Sequence, residues 1–295
     1  MNAVIIGSTG FIGRSLSREL AARHLPSFGI DCLADQHTPA NFALCDIARD
    51  EPILPDGTDT IFYLAQSPHF RDFPLHADNL FAVNVVGALR AADLARRSGV
   101  RAFIYASTGT VYAHTFEPMR EDQPFRRDNA YALSKIHAEE ALALIPELKT
   151  CCVRLFGVFG PGQQRMMVPT IISRIKQSQP VTLEPHPFHP EDHEGLRISL
   201  TYVDDVARTL VDLAQHMLSR NDTPLRVNLA SDQPTSIRTM AQTIASRLGL
   251  SPTFTIAPAP RATDYIADIT LMRTICPLRF TPFADAINAT LELHA

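Results

Sequence analysis

Three glycines at intervals of three residues follow the first apolar run of this chain, and they constrain its fold more than any other feature. The run Ala3-Val4-Ile5-Ile6 leads into Gly7-Ser8-Thr9-Gly10-Phe11-Ile12-Gly13, and residues 11–23 have a helical composition. Short β-branched runs are typical of buried parallel strands, and glycine permits the sharp turn between a strand and a helix. The segment predicts the first strand, turn and helix of a parallel α/β sheet, although the same spacing also occurs in an ordinary tight turn.

The glycine turn also predicts a dinucleotide site. Gly10 would let the backbone approach a pyrophosphate, and Gly13 would let the new helix pack closely on the strand with its N-terminus facing the negative charge. Asp31 ends the next predicted strand, 18 residues beyond Gly13. A carboxylate there would accept hydrogen bonds from the adenosine ribose and repel a 2′-phosphate, which favours NAD over NADP. The alternative is an exposed loop acid. Asp46 and Ile47 follow the third predicted strand and would flank the adenine.

Apolar strand candidates alternate with helical stretches along the first half of the chain. The predicted strands are Ala3–Ile6, Ser27–Ile30, Phe42–Cys45, Thr60–Leu64, Arg101–Ala106 and Thr150–Leu155, and the predicted helices cover residues 11–23, 78–98 and 129–145. This alternation predicts an α/β fold with a Rossmann-type doubly wound parallel sheet. The last two helices are long enough to pair in a homodimer.

The alternation changes after Gly160-Pro161-Gly162, and residues 179–197 are rich in proline, histidine and acidic residues. That composition predicts either a loop over a ligand site or a disordered flap. We expect an NAD-binding domain over 1–160, to which 201–230 return. A smaller C-terminal substrate-binding domain would comprise 161–200 and 231–295.

Composition narrows the classes of partner. The net charge of −4 and a pI near 6.2 give no basic field for nucleic acid. No apolar run reaches the roughly 18 residues that span a bilayer, and the N-terminus lacks the charged and apolar regions of a signal peptide, which predicts a cytoplasmic protein. The five cysteines show no metal-binding spacing and are predicted to be free thiols. No metal site is predicted, because the loop carrying His186, His189 and His193 is broken by proline and lacks a fixed i,i+4 pair.

The predicted chemistry lies after the fifth strand and on the helix that follows. Ser107-Thr108-Gly109-Thr110 would place hydroxyls at the carboxyl edge of the sheet, where ligands bind in such folds. Tyr131 and Lys135 are four residues apart, so both side chains emerge from one helix face. A nearby ammonium, helped by an oxidised nicotinamide, would stabilise the phenolate of Tyr131 and lower its pKa toward the working range of a general base.

These and further motifs occur in the order found in one enzyme family. They are the glycine run, Asp31, Asp46-Ile47, Tyr63-Leu64-Ala65, Asn84-Val85-Val86-Gly87, Ser107-Thr108-Gly109-Thr110-Val111-Tyr112, Tyr131-x-x-x-Lys135, Arg154-Leu155-Phe156-Gly157-Val158-Phe159-Gly160-Pro161-Gly162 and Tyr202-Val203-Asp204-Asp205-Val206. Over nearly its whole length the chain resembles an extended short-chain dehydrogenase/reductase. The resemblance is to the NAD-dependent epimerase/dehydratase group, whose best-known members modify nucleotide sugars.

The resemblance implies roles for individual residues. Tyr131 would be the general base or acid, Lys135 would assist it and hold the nicotinamide ribose, and Thr108 would hydrogen-bond the reacting substrate oxygen. The residues implied to contact NAD are Gly7, Thr9, Gly10, Phe11, Ile12, Gly13, Asp31, Asp46, Ile47, Leu64, Ala65, Gln66, Asn84, Tyr131, Lys135 and Phe156. Those implied to contact substrate are Thr108, Thr110, Gly157, Arg197 and Arg261. The two arginines would clamp a substrate diphosphate, because guanidinium groups match phosphate oxygens; alternatively, they are ordinary surface arginines.

Several positions depart from the family pattern. Gly109-Thr110 stands where the sugar dehydratases carry Asp-Glu, which argues against dehydration. Gly157 replaces an asparagine that contacts substrate in many nucleotide-sugar members, and Gln66 replaces a residue that is usually small. Arg197 lies one residue out of the usual register before the Val-Asp-Asp run.

The leading hypothesis is an NAD-dependent epimerase, or a related oxidoreductase, acting on a nucleotide-sugar. A second hypothesis is an NAD(P)-dependent reductase or dehydrogenase of a non-sugar alcohol or ketone. A third, from another class, is a non-catalytic NAD-binding regulator that has kept the fold.

Overall fold

The computed structural model describes residues 1–36 and 38–292, and a parallel sheet of seven strands dominates it. Its strands are β1 (Ala3–Ile6), β2 (Ser27–Asp31), β3 (Phe42–Leu44), β4 (Thr60–Tyr63), β5 (Ala102–Thr108), β6 (Thr150–Leu155) and β11 (Arg226–Leu229). Their order in the sheet is β11-β6-β5-β4-β1-β2-β3. The strand order reverses at β1, so the crevice beyond β1 and β4 is the expected ligand site of a doubly wound sheet. The predicted Rossmann-type fold is confirmed, and each of the six predicted strands agrees with the structure to within two residues at either end.

Helices cover both faces of this sheet. The helices are α1 (Phe11–Ala22), α2 (Ala77–Phe81), α3 (Ala88–Arg97), α4 (Ala130–Leu142), α5 (Met167–Lys176), α6 (Val203–Ser219), α7 (Ile237–Leu248), α8 (Thr270–Ile275) and α9 (Phe283–Glu292). One core holds buried residues of α1 and α6, and the other holds buried residues of α3 and α4. These two cores fix the sheet between its helical layers and thereby fix the crevice.

The prediction of one continuous helix over 78–98 is wrong, because a π-helical segment, Ala82–Gly87, separates α2 from α3. Two buried tyrosines of the sheet donate hydrogen bonds to its carbonyls. Tyr63 reaches the carbonyl of Val83 at 2.5 Å, and Tyr105 reaches the carbonyl of Asn84 at 2.9 Å. Sheet side chains thus bind carbonyls within this stretch, at the point where the regular i to i−4 pattern gives way to the π-helix.

A third apolar core lies beyond the sheet and joins α5, α7 and α9. The short strands near it are β7 (Val158–Phe159), β8 (Val181–Leu183), β9 (Arg197–Ile198), β10 (Thr201–Tyr202), β12 (Thr235–Ser236) and β13 (Phe254–Ile256), which pair as β10-β7, β12-β9 and β13-β8. Met272 and Cys276, at α8, belong instead to the core of the large sheet. The two-domain division stays a prediction.

The proline-rich stretch 179–197 is not uniform. It contains β8, which pairs in parallel with β13, while residues 184–196 form no helix or strand. None of the helices in the described residues combines the length and the apolar composition of a membrane-spanning segment.

Candidate active site

A cleft of about 1300 Å³ opens at the carboxyl ends of the central strands. It brings together most of the residues that the sequence singled out. The predicted site residues that line it are Gly7, Thr9, Gly10, Phe11, Ile12, Gly13, Asp31, Asp46, Ile47, Leu64, Ala65, Gln66, Thr108, Thr110, Tyr131, Lys135, Phe156 and Gly157. Asn84, Arg197 and Arg261 lie outside this lining.

The glycine turn forms a backbone cradle at one end of the cleft. Gly7 has φ +93°, and a Cβ there would lie 2.6 Å from the amide nitrogen of Ala65. A Cβ on Gly13 would lie 2.2 Å from the carbonyl oxygen of Gly7. Gly10 caps α1 without any side-chain hydrogen bond, so the first amides of the helix remain available to an anion. The cradle therefore fits a pyrophosphate.

We expect Gly13→Ala to weaken NAD binding at least about tenfold, because its methyl group would displace the turn that approaches the pyrophosphate. Calorimetric titration of the purified protein with NAD measures this change. Gly99→Ala is the control, since Gly99 is remote from the cleft and has open space around it. An unchanged affinity in Gly13→Ala would show that the turn does not hold the cofactor.

Asp31 ends β2 and is tied to the glycine turn. One of its carboxylate oxygens accepts hydrogen bonds from the backbone amide of Thr9 at 2.9 Å and from its hydroxyl at 2.8 Å. Its other oxygen accepts from the amide of Cys32 at 2.8 Å. These bonds hold the carboxylate at the end of the cleft where Asp46 and Ile47 also lie.

The predicted catalytic residues meet near the middle of the cleft. Thr108 ends β5, while Tyr131 lies in the first turn of α4, whose N-cap Asn129 accepts a hydrogen bond from the amide of Ala132 at 3.0 Å. Burial raises the pKa of Tyr131 to about 12, and a hydrogen bond with Thr108 partly offsets that shift. The Tyr131 hydroxyl donates to the side-chain oxygen of Gln66 at 3.0 Å.

Lys135 is almost fully buried one turn further along α4. Its ammonium donates to the carbonyl of Ala106 at 2.8 Å and lies 4.7 Å from the ring centre of Tyr105. Burial lowers the pKa of Lys135 to about 7. The cleft thus disfavours a charge on either Tyr131 or Lys135 alone, and an added positive charge beside Tyr131 would favour its phenolate.

Gln66 competes with substrate for Tyr131. Its amide oxygen accepts a hydrogen bond from the phenolic hydroxyl and so stabilises the neutral form of Tyr131. We expect Gln66→Ala to lower the pKa of Tyr131 and Gln66→Glu to raise it. Titration of the phenolate absorbance with saturating NAD bound, and with the signal of Tyr131→Phe subtracted, measures both shifts. Identical curves for the two variants and the wild type would contradict this role of Gln66.

The depressed pKa of Lys135 predicts how stability depends on pH. Between pH about 7 and about 10.5 the unfolded chain binds a proton on this lysine that the folded chain does not, so the free energy of unfolding rises with pH in that window. Lys135→Met removes this contribution and should show a flatter rise in urea unfolding measured at several pH values. Thiols and tyrosines that titrate in both proteins cancel in the difference. Parallel curves would contradict the shift.

A buried ion cluster that the sequence analysis missed lies directly behind the catalytic residues. Glu139, one turn beyond Lys135, has both carboxylate oxygens bonded by Arg154, at 3.0 and 2.7 Å. Arg226 adds a contact at 2.9 Å, and Ser107, next to Thr108, donates at 2.5 Å. In the sequence, the i,i+4 spacing of Lys135 and Glu139 was the feature that could have indicated a role for Glu139. The cluster joins β5, α4 and β6, and so fixes the strand end and the helix relative to each other.

Asn84 lies beneath the cleft instead of lining it. Its side-chain oxygen accepts from the amide of Ser67 at 3.1 Å, and its side-chain nitrogen donates to Ser134 at 3.0 Å. Because both ends of the amide are bonded within the protein, Asn84 supports the loop after β4 and helix α4.

The two arginines predicted to clamp a diphosphate are not directed into the cleft. Leu196, just before β9, and Ile198, within it, line the cleft, whereas Arg197 between them lines a second cleft and donates to Asp192 at 2.8 Å. Successive side chains of a strand point to opposite faces, so the shifted register of Arg197 accounts for its direction. Arg261 is buried, where it bonds Asp264 at 2.8 Å and Asp192 at 3.1 Å.

The second cleft has a volume of about 980 Å³ and contains the three histidines of the proline-rich stretch, His186, His189 and His193. The rings of His186 and His189 lie 4.7 Å apart, and His186 also packs on Phe116 at 4.3 Å. Within residues 1–36 and 38–292, no group of three His, Cys, Asp or Glu side chains is placed to hold a metal ion.

Comparison with known proteins identifies the family. The model of the NAD dependent epimerase/dehydratase family matches residues 3–230. The chain belongs to this family. Its membership makes the protein an NAD-dependent enzyme of the epimerase/dehydratase type, in agreement with the fold and with the glycine cradle.

Relatives within the family differ in substrate. The chain is 27% identical over 271 residues to the decarboxylating sterol-4-alpha-carboxylate 3-dehydrogenase of Candida albicans, covering 82% of this chain and 74% of the relative. It is 25% identical over 252 residues to GDP-6-deoxy-D-mannose reductase of Pseudomonas aeruginosa, covering 82% and 78%. Its fold matches that of Thermus thermophilus UDP-glucose 4-epimerase in complex with NAD, with a TM-score of 0.77 at 24% identity over 99% of this chain and 98% of the other.

Proposed function

We propose that this protein interconverts an alcohol and a ketone with NAD, using Tyr131 as the general base or acid. The observation that carries the proposal is the meeting of Thr108, Tyr131 and Lys135 in one cleft with the glycine cradle. Bound NAD would supply the acceptor for the hydride of the alcohol's carbon–hydrogen bond, and Tyr131, as the phenolate, would take the hydroxyl proton as the carbonyl forms.

The chain supplies positioning and proton transfer. Thr108, whose hydroxyl is held by Thr110 at 3.0 Å, would donate or accept a hydrogen bond at the reacting oxygen. Tyr131 would exchange its Gln66 partner for that oxygen, and Lys135, once protonated, would stabilise the phenolate. The glycine cradle would hold the pyrophosphate, and Asp31 the adenosine ribose.

Two finer versions of this function differ in substrate. A nucleotide-sugar epimerase agrees with the mannose-nucleotide reductase and the glucose-nucleotide epimerase among the relatives. A dehydrogenase of a non-sugar alcohol agrees with the sterol dehydrogenase, and a specific observation favours it: Arg197 and Arg261 are engaged with carboxylates outside the cleft. Of the three hypotheses, a non-catalytic regulator agrees least with the meeting of three catalytic side chains in one site.

The test begins with mass and absorbance analysis of any ligand released from the purified, denatured protein, followed by titration with NAD and NADP. Tightly retained NAD favours an epimerase, which returns the hydride to its substrate. Reversible NAD binding with net NADH formation favours a dehydrogenase, and a preference for NADP would contradict the role of Asp31. A protein that binds neither cofactor would overturn the proposal.

We also propose that two copies of the chain pair through the face of α2, the π-helical segment and α4. Val86, in the π-helical segment, is 48% exposed, and Phe81 packs against His137 of α4 with ring centres 6.1 Å apart. Analytical ultracentrifugation tests this: Val86→Asp should convert a dimer to a monomer, and a monomeric wild type would contradict the proposal.

A further inference from the structure

We propose that the substrate half of the cleft takes an alcohol or ketone carried on an apolar body, without a phosphate group. This inference rests on the proposed function, since it names the substrate class of the same site. It predicts that binding energy comes from apolar area buried beside Tyr131 and Thr108.

The first support is the lining of the cleft beyond the catalytic residues. The wall contributed by residues 155–168 and 196–200 is predominantly aliphatic and aromatic, and includes Phe156, Phe159, Met167, Leu196, Ile198 and Leu200. Sugar hydroxyls buried against such a wall would lose water without gaining partners, which is unfavourable for each unpaired group. An apolar ligand gains free energy there in proportion to its buried area.

The second support is the packing around Gly157. A Cβ at this position would lie 2.9 Å from a methyl carbon of Leu200 and 3.0 Å from one of Ile198. Gly157 also has φ +45°, which strains any larger residue. Two aliphatic side chains therefore occupy the space that a polar side chain at 157 would need, and they extend the apolar wall up to Phe156.

The third support is the balance of charge. Within the described part of the chain, the basic residues lining the cleft are Arg71 and Lys135, against Asp31, Asp46 and Asp128. Lys135 is buried against Ala106, and Arg71 is exposed, with its guanidinium 5.0 Å from the ring centre of Phe70. The guanidinium of Arg71 also donates to the carbonyl of Arg165 and to the sulfur of Met166, each at 3.2 Å, so it is engaged at the mouth of the cleft. A substrate diphosphate would thus lie near the diphosphate of NAD and would have to draw this guanidinium away from its present partners.

The polar groups of this half are few and largely engaged. The amide nitrogen of Gln163 donates to the carbonyl of Val158 at 2.6 Å, and Asn129 caps α4. Gln164 and Tyr265 also line the cleft, while Thr108, Thr110 and Tyr131 meet beside the cofactor end and would hold one oxygen, which is the requirement of an alcohol or a ketone. At the mouth, Phe73 is 55% exposed and Met166 is 38% exposed, so the apolar lining continues to the entrance.

The experiment titrates the full-length protein, saturated with NADH so that no alcohol is oxidised, by calorimetry with cyclohexanol, trans-2-decalol and UDP-glucose. We expect decalol to bind roughly tenfold or more tightly than cyclohexanol, because it buries more methylene groups, and UDP-glucose to bind at least about tenfold more weakly than decalol. Leu196→Asp places a carboxylate in the apolar wall and should weaken decalol binding at least about tenfold. Thr182→Asp, at an exposed position of β8 outside the cleft, should change it less than about twofold.

Tighter binding of UDP-glucose than of decalol would overturn the inference, as would no gain from cyclohexanol to decalol or an unaffected Leu196→Asp variant. Failure of both alcohols to bind would overturn the inference as well. These binding results are independent of turnover, which is followed as NADH formation that depends on Tyr131. Decalol binding without turnover of any alcohol would retain the substrate class and reject the proposed function. Tyr131-dependent turnover of UDP-glucose would retain the proposed function and reject the substrate class.

Discussion

Replacing Tyr131 with phenylalanine should lower kcat by about 10²–10⁴ while leaving the Kd for NAD within a few-fold of the wild type. The phenylalanine ring keeps the packing on Phe70, whose ring centre lies 5.3 Å from that of Tyr131. It removes only the hydroxyl that exchanges a proton with the substrate. Steady-state kinetics and calorimetry on the same preparations separate the two quantities.

Thr110→Val is a useful companion variant, because it removes a hydroxyl that contacts Thr108 but not the proton-transfer group. It should reduce kcat much less than Tyr131→Phe does. Equal rates for wild type and Tyr131→Phe would remove Tyr131 from the mechanism. A large loss of NAD affinity in that variant would instead make its role structural.

Replacing Arg154 with methionine should reduce the free energy of unfolding by about 3–5 kcal/mol, because it breaks a fully buried ion pair and leaves the Glu139 carboxylate without its principal partner. Arg154 also donates to the hydroxyl of Tyr112 at 2.8 Å. Arg226 continues to contact Glu139, which favours the lower part of that range. Urea unfolding followed by circular dichroism measures the change.

The control is Arg97→Met, which removes an exposed arginine that pairs with Asp93 and Glu51. Exposed pairs are screened by water, so this variant should lose much less stability than Arg154→Met does. Arg154→Met/Glu139→Gln should recover part of the loss, because it removes the unpaired charge. Equal destabilisation by Arg154→Met and Arg97→Met would show that the buried cluster contributes no more than a surface pair.

The large sheet was predictable because each of its strands can be identified from its own local sequence. Runs such as Ala3–Ile6 and Thr60–Tyr63 are largely apolar, and burial on both faces requires that composition. The cofactor end was predictable for the same reason, since the glycine spacing is itself the geometry of the cradle. The π-helical segment was not predictable, because it depends on the hydroxyls of Tyr63 and Tyr105, which belong to two strands of the sheet.

The substrate end was less predictable, because side-chain direction there depends on short strands and distant partners. β9 has only two residues, so a shift of one position decides whether an arginine or an isoleucine faces the cleft. Arg261 is held by Asp192, which is remote in sequence and lies in a stretch without regular structure. Composition could not show that these charges neutralise one another and leave the cleft wall apolar.

The ionisation of Tyr131 in the presence of NAD is the most direct test of the central claim, that this cleft holds NAD beside a proton-transferring tyrosine. The measurement is the phenolate absorbance of wild type minus that of Tyr131→Phe, between about pH 6 and about pH 10, with and without saturating NAD. In the free protein, burial holds the pKa of Tyr131 at about 12, so the difference should be flat. With NAD bound, the positive nicotinamide should bring a phenolate signal into this window; identical flat curves with and without bound NAD would contradict the account.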